Sequence, residues 1–105
     1  MQQRPSRYAI RRPVEFYMRT PRGPLRGSGH TVNISKTGIL FQSESQVIIG
    51  KRIELLVNMD EGVDPETAVT LFIQGVTVRH EGSSTAVAIR KQRLKTIPKT
   101  EAQLH

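Results

Sequence analysis

The sequence predicts an all-β fold, a small antiparallel β-barrel of six strands. Short runs of alternating apolar and polar residues recur along the 105-residue chain, with turn-forming residues between them. No long segment has the spacing of an amphipathic helix, and Pro98 interrupts the best candidate near the C-terminus. Because closing a sheet on itself removes exposed edges, a barrel is the economical arrangement for so few strands.

The first predicted strand covers residues 13–19, where Val14, Phe16 and Met18 share one face. Residues 20–29 hold two Pro and three Gly, which predicts a connecting loop. Two short strands are expected next, over 30–34 and 38–43.

The second half of the chain predicts three further strands. Residues 52–59 place Ile53, Leu55 and Val57 on one side, and the last strand is expected over 84–92. Between them, a long strand is expected over 68–80. Its apolar residues shift from odd-numbered to even-numbered positions at Gln74-Gly75, which predicts a bulge or bend there. Each phenylalanine falls in an apolar run, so all three are expected in the core: Phe16, Phe41 and Phe72.

The predicted organisation is one domain with two flanking segments. A flexible arginine-rich arm covers 1–12, the barrel covers 13–93, and a tail with at most a short helix covers 94–105. No run reaches the ~18 apolar residues of a membrane span, and the N-terminus does not resemble a signal peptide. Without cysteine there is no disulfide frame. We expect a soluble cytoplasmic protein without membrane insertion.

The net charge of +7 is concentrated at the N-terminal end. Residues 1–30 hold seven arginines against one acid, a net +6, whereas residues 31–105 hold nine basic residues against eight acids, a net +1. Arginine suits bidentate recognition of a phosphate or of a guanine edge. A solvated arm that only keeps the protein soluble is the alternative interpretation.

The sequence does not favour catalysis or metal binding. His30, His80 and His105 lack ligand-spaced partners, and the acidic segment 59–66 lacks the ligand ladder of a calcium loop. No nucleophile or acid–base pair stands out, and no cofactor is expected. What remains is the segment Asn33-Ile34-Ser35-Lys36-Thr37-Gly38, an adequate turn on local grounds.

That segment, placed after an arginine arm in an all-β chain, resembles the PilZ domain family. The family pattern is R-x-x-x-R followed by [D/N]-x-S-x-x-G, and the resemblance covers roughly residues 4–93. Asn33, Ser35 and Gly38 match the second motif at every fixed position. The resemblance implies a PilZ-like six-stranded barrel that binds cyclic di-GMP without catalysis and signals to a downstream protein.

The first motif allows two registers. In one, Arg7 is the second arginine and Gln3 stands where the first is expected, with Arg4 adjacent; in the other, the pair is Arg7 and Arg11. The resemblance implies that arm arginines contact phosphates and guanine edges, while Asn33 and Ser35 hydrogen-bond a guanine. Gly38 is expected to supply a positive φ or a close approach to ligand. The predicted ligand-binding residues are Arg4, Arg7, Arg11, Asn33, Ser35, Gly38 and Arg79, the last either facing the site or lying at an exposed strand end.

Two other interpretations stay open at this point. The net charge and a pI near 10.6 are compatible with a nucleic-acid-binding small barrel, a less favoured alternative. Because Gln3 stands where the first motif expects an arginine, the chain is also compatible with a degenerate PilZ domain. Such a domain would act as an adaptor that binds a protein without binding nucleotide.

Overall fold

The computed structural model describes residues 8–45, 47–60 and 67–98. Within these ranges the chain forms seven β-strands and no helix. The strands are β1 (Tyr8–Ala9), β2 (Pro13–Thr20), β3 (Gly23–Ile34), β4 (Gly38–Ser43), β5 (Arg52–Asn58), β6 (Thr67–Glu81) and β7 (Ser84–Pro98).

Six of the strands close into a ring. Their order is β3-β2-β5-β6-β7-β4, and pairing between β4 and β3 completes the circle. Every pairing is antiparallel. The all-β fold class and its six antiparallel strands are therefore confirmed, and β1 adds a two-residue extension along β3.

The core fills the inside of this ring. Buried and exposed residues alternate along β2 and β5, as the sequence pattern predicts. Phe16 of β2 meets Phe41 of β4 with the ring centroids 5.9 Å apart. Burying each such side chain stabilises the fold by roughly 1.5–3 kcal/mol. The buried residues of β2 and β5 are Val14, Phe16, Met18, Ile53, Leu55 and Val57.

Phe72 is the exception among the three phenylalanines, and its assignment to the core is wrong. It is only partly buried, and it pairs with Leu56 on one side and Arg93 on the other. The ammonium group of Lys95 lies 5.6 Å from the centre of the Phe72 ring. Phe72 therefore lies on the outer face of the sheet, where its ring packs under a lysine.

The predicted loop over residues 20–29 is also wrong, because most of it belongs to β3. Only residues 21–22 form the turn, which the Thr20 hydroxyl closes by donating a 2.6 Å hydrogen bond to the Gly23 carbonyl. Gly29 lies against β4, and a Cβ there would overlap the Gln42 carbonyl oxygen. Glycine at this position thus reflects close strand packing, which composition alone does not distinguish from a loop.

The bulge predicted at Gln74-Gly75 is confirmed. The pairing of β6 with β7 shifts register there, and it shifts again between Thr77 and Arg79. Val78 is the extra residue at the second shift and is 46% exposed, whereas Thr77 before it is buried. The Thr77 hydroxyl donates to the Ile48 carbonyl at 2.6 Å, which ties the connection before β5 to β6.

The last strand is longer than expected. It was predicted over 84–92, but β7 continues to Pro98 because β6 pairs with it along its whole length. Lys91 to Pro98 face residues 67–74 of β6 in this ladder.

Candidate functional site

Four residues on neighbouring strands form a row across the outer face of the ring. Asn33 of β3 lies opposite Leu40 of β4, Leu40 opposite Ala86 of β7, and Ala86 opposite Arg79 of β6. Three strand spacings, on the order of 14 Å, separate the two ends of the row. The fold therefore brings two predicted ligand-binding residues, 46 positions apart in sequence, to one surface.

Two β-bulges are what turn these residues outward. On β3 the register shifts between Thr31 and Asn33, so that Thr31 points inward opposite Phe41 and Asn33 points outward opposite Leu40. In an unbulged strand, residues two apart share a face, and Asn33 would follow Thr31 into the core.

The bulge at Val78 has the same effect on β6. Thr77 is buried opposite Val87, whereas Arg79 lies on the outer face opposite Ala86. Without the extra residue, Arg79 would share the inward face of Thr77. Neither bulge is visible in the spacing of the motif residues, which is why the sequence left the position of Arg79 open.

The row belongs to a groove with a volume of about 460 Å³. Asn33, Ser35, Gly38 and Arg79 all line it, so four of the seven predicted site residues lie together. Between the polar ends the floor is apolar, with two small side chains among larger ones. Its apolar residues include Leu40, Val78, Ala86 and Ala88.

Ser35 organises the turn at one end of the groove. Its backbone N–H donates to the Gly38 carbonyl at 2.8 Å, and its hydroxyl accepts hydrogen bonds from the N–H groups of Thr37 (3.3 Å) and Gly38 (3.1 Å). The turn is attached to β7 as well, because the Ile89 N–H donates to the Thr37 carbonyl at 2.8 Å. The Ser35 hydroxyl is thus already engaged in holding the loop, which limits what it can offer to a ligand.

Gly38 does not have the positive φ expected of it. Among the described residues the glycines with positive φ are Gly23, Gly50 and Gly82. A Cβ on Gly38 would lie 3.4 Å from the Val87 carbonyl oxygen, an ordinary contact distance. The backbone therefore does not require glycine here, and the second expectation, a close approach to ligand, stays a prediction.

Arg79 carries a partner that the motif comparison did not reveal. Its guanidinium lies 2.5 Å from the Glu81 carboxylate, and the two side chains are 54% and 39% exposed. Glu81 also lines the groove. An exposed pair of this kind is weak, typically below about 1 kcal/mol, so an anionic ligand can compete for the arginine.

The described end of the arm pairs with β3 beside Asn33. Tyr8 and Ala9 pair with Ile34 and Asn33, so the residue that follows Arg7 in sequence is next to the start of the loop. Arg4 and Arg7 themselves lie outside the described residues. Arg11 is exposed and is not part of the groove lining among the described residues, so its predicted role in this groove is not supported.

A buried threonine fixes where the arm lies, and sequence reasoning missed it. The Thr31 hydroxyl donates to the Ile10 carbonyl at 2.5 Å and accepts from the Arg12 N–H at 2.8 Å. The Thr31 N–H donates to the Arg12 carbonyl at 2.9 Å. A threonine within a strand pattern gives no sequence signal for this role.

Comparison of the chain with protein-family models, with curated proteins and with solved structures finds no match. In the described part of the chain there is likewise no helix that is long and apolar enough to cross a membrane.

The groove has the chemistry to hold a flat, anionic, hydrogen-bonding ligand. A planar ring can pack on the apolar floor at Ala86 and Ala88, where the side chains are small. The Asn33 amide offers donors and acceptors to a base edge, and the Arg79 guanidinium offers paired donors to a phosphate.

Proposed function

We propose that this protein is a non-catalytic receptor for cyclic di-GMP of the PilZ type. The observation that supports it best is the row from Asn33 to Arg79, which joins a motif amide and a guanidinium across an apolar floor. The motif match at Asn33, Ser35 and Gly38 supplies the identity of the ligand. Tyr8, which follows Arg7 in sequence, pairs with Ile34 beside Asn33.

In this proposal the ligand lies across β4 and β7. A guanine rests on Leu40 and Ala86 while its edge pairs with the Asn33 amide. A phosphate engages Arg79, and the arm arginines Arg4 and Arg7 close over the remaining phosphate and guanine surfaces. Closure of the arm changes the surface beside β3, and a downstream protein recognises that changed surface.

Isothermal titration calorimetry with cyclic di-GMP tests the proposal. We expect saturable binding of the wild-type protein, weakened about tenfold or more in Arg79→Ala because a charge-assisted hydrogen bond is lost. Arg93→Ala removes the same charge from an exposed position on β7 outside the groove and should bind within about twofold of wild type. Absence of heat at near-millimolar ligand, or equal losses in both variants, contradicts the proposal.

The arm is tested in the same way. Arg7→Ala should weaken cyclic di-GMP binding about tenfold, whereas Arg22→Ala at the exposed β2–β3 turn should leave it within about twofold. GTP at the same concentration should not compete with cyclic di-GMP for the protein, because GTP has one guanine instead of two guanosines joined in a ring by phosphodiester linkages.

A nucleotide-independent adaptor is the second candidate. Two observations favour it: Gln3 occupies a motif position, and Glu81 forms an ion pair with Arg79. An adaptor would bind its protein partner equally with and without cyclic di-GMP, and Arg7→Ala would leave that binding unchanged. A nucleotide-dependent change in partner affinity rejects this candidate.

A further inference from the structure

A second groove on the outer face of the ring is strongly basic. It has a volume of about 930 Å³ and extends over β2, β5, β6 and β7. One acidic side chain, Glu54, lines it against five cationic ones. The cationic residues are Arg19, Lys51, Arg52, Arg90 and Lys91.

Strand register accounts for the spread of these charges. Tyr17, Glu54, Gln74 and Lys91 are paired in series across four strands, so the groove runs across the strands over a distance on the order of 14 Å. Arg19 lies two residues from Tyr17 and Arg52 two residues from Glu54, which puts both on the same outer face.

The bulge at Gln74-Gly75 adds a further cation. Gly75 pairs with Ile89 and Gln74 pairs with Lys91, so Arg90 is the extra residue on β7. Both Arg90 and Lys91 consequently line the groove, where a regular strand would turn one of them away. A Cβ on Gly75 would overlap the Ala88 carbonyl oxygen, so glycine is required where the strands approach this closely.

We propose that this groove binds the phosphate backbone of single-stranded nucleic acid. Five like charges around one groove attract a chain of phosphates, which neutralises them and releases counterions. At one end, the Arg26 guanidinium lies 5.2 Å from the centre of the Tyr17 ring, an aromatic–arginine pair on which a base can stack. Glu54 and Gln74 lie between the cations and can hydrogen-bond base edges.

The geometry favours nucleic acid over an acidic peptide. An extended peptide gains much of its affinity by pairing with a free strand edge several residues long. Along the groove β6 is paired on both sides, and β5 lacks a second partner only at Arg52 and Ile53, beyond the last β2–β5 pair at Tyr17–Glu54. Phosphates need only side-chain donors, which the groove supplies across its length. The site is separate from the Asn33–Arg79 groove and does not depend on the proposed function.

Fluorescence anisotropy with a labelled single-stranded DNA of about 12 nucleotides, within the site sizes of small β-barrels, tests the proposal. We expect binding that weakens steeply with salt. The Arg52→Gln/Lys91→Gln double variant should bind about tenfold or more weakly at low salt. The slope of log binding constant against log salt concentration should be shallower by about 1.4, because two phosphate contacts are lost. Lys91→Arg should keep wild-type affinity.

Lys95→Gln is the matched control, since it removes one charge from the same strand outside the groove. It should bind within about twofold of wild type, and the Asn33→Ala/Arg79→Ala variant should bind DNA normally while losing cyclic di-GMP. The single variant Lys91→Gln, which removes one charge from inside the groove, is compared directly with Lys95→Gln, and equal losses in the two would overturn the proposal. Tighter binding of a polyglutamate peptide than of the DNA at matched charge and salt would also overturn it. Circular dichroism on every variant confirms that each is folded.

Discussion

At the scale of single residues, the three residues of the second motif lie together, whereas Arg11 lies outside the groove and Arg4 and Arg7 lie outside the described residues. Asn33, Ser35 and Gly38 line one groove, as the resemblance implies. Their local roles differ from the expectation, since the Ser35 hydroxyl closes the turn and Gly38 has no positive φ. Hydrogen bonds within a turn and the sign of φ depend on the register of β3, β4 and β7, which a six-residue pattern does not specify.

Gly38→Ala should therefore leave the fold almost unchanged. We expect a free energy of unfolding within about 1 kcal/mol of wild type, because the new Cβ meets the Val87 carbonyl oxygen at 3.4 Å, an ordinary contact. Gly29→Ala is the contrasting variant, because its Cβ overlaps the Gln42 carbonyl oxygen, and a loss of roughly 1–3 kcal/mol is expected. Urea denaturation measures both. Equal destabilisation by the two substitutions would contradict the assignment.

Glu81→Gln should strengthen binding of cyclic di-GMP. The substitution keeps the shape of the side chain but removes the carboxylate that lies 2.5 Å from the Arg79 guanidinium. Because an exposed ion pair is worth up to about 1 kcal/mol, the gain should be at most about fivefold. Glu54→Gln, which changes the charge equally but lies in the basic groove, should leave calorimetric affinity unchanged. Weaker nucleotide binding in Glu81→Gln would show that Glu81 contacts the ligand or orders Arg79.

At the scale of strands, the alternation of apolar and polar residues predicted β2 and β5 correctly, because each strand buries one face along its length. It missed the first half of β3, where Pro and Gly resemble a loop although the backbone is paired with β2. The irregularity at Gln74-Gly75 was predicted, although its extra residue is Arg90 on β7 and β6 keeps the same inward face from Ile73 to Thr77. The bulges at Val32 and Val78 were not, because β-branched residues give no turn signal, and these two orient Asn33 and Arg79.

Thr31 is the residue by which β3 holds the start of the arm. Thr31→Val keeps the shape of the side chain but leaves the Ile10 carbonyl and the Arg12 N–H without their hydroxyl partner, at a loss of about 1–3 kcal/mol. Amide hydrogen exchange at Arg12 should become markedly faster, and cyclic di-GMP affinity should fall as the arm loses its position. Thr96→Val, at an exposed position on β7, should change neither quantity. Unchanged exchange at Arg12 in Thr31→Val would contradict this role.

At the scale of the whole molecule, the β3–β4 pairing that closes the ring creates the Asn33–Arg79 groove, and the neighbouring strands β2, β5, β6 and β7 create the basic groove. β3 and β6 are far apart in sequence, yet β4 and β7 between them bring Asn33 and Arg79 onto one face. The sequence predicted the ring and the uneven charge of the arm, but it could not predict the basic groove, whose cations come from three separate strands and one connection. Such clusters arise from strand order, which has no local sequence signature.

The most direct test of the central claim is a residue-resolved NMR titration of the isotope-labelled protein with cyclic di-GMP. We expect saturable shifts of the amide signals of Asn33, Ser35, Gly38 and Arg79, together with those of the arm around Arg7, and little change at Arg52 and Lys91. Shifts confined to the basic groove, or none at near-millimolar nucleotide, would contradict the assignment of the Asn33–Arg79 groove as a cyclic di-GMP site.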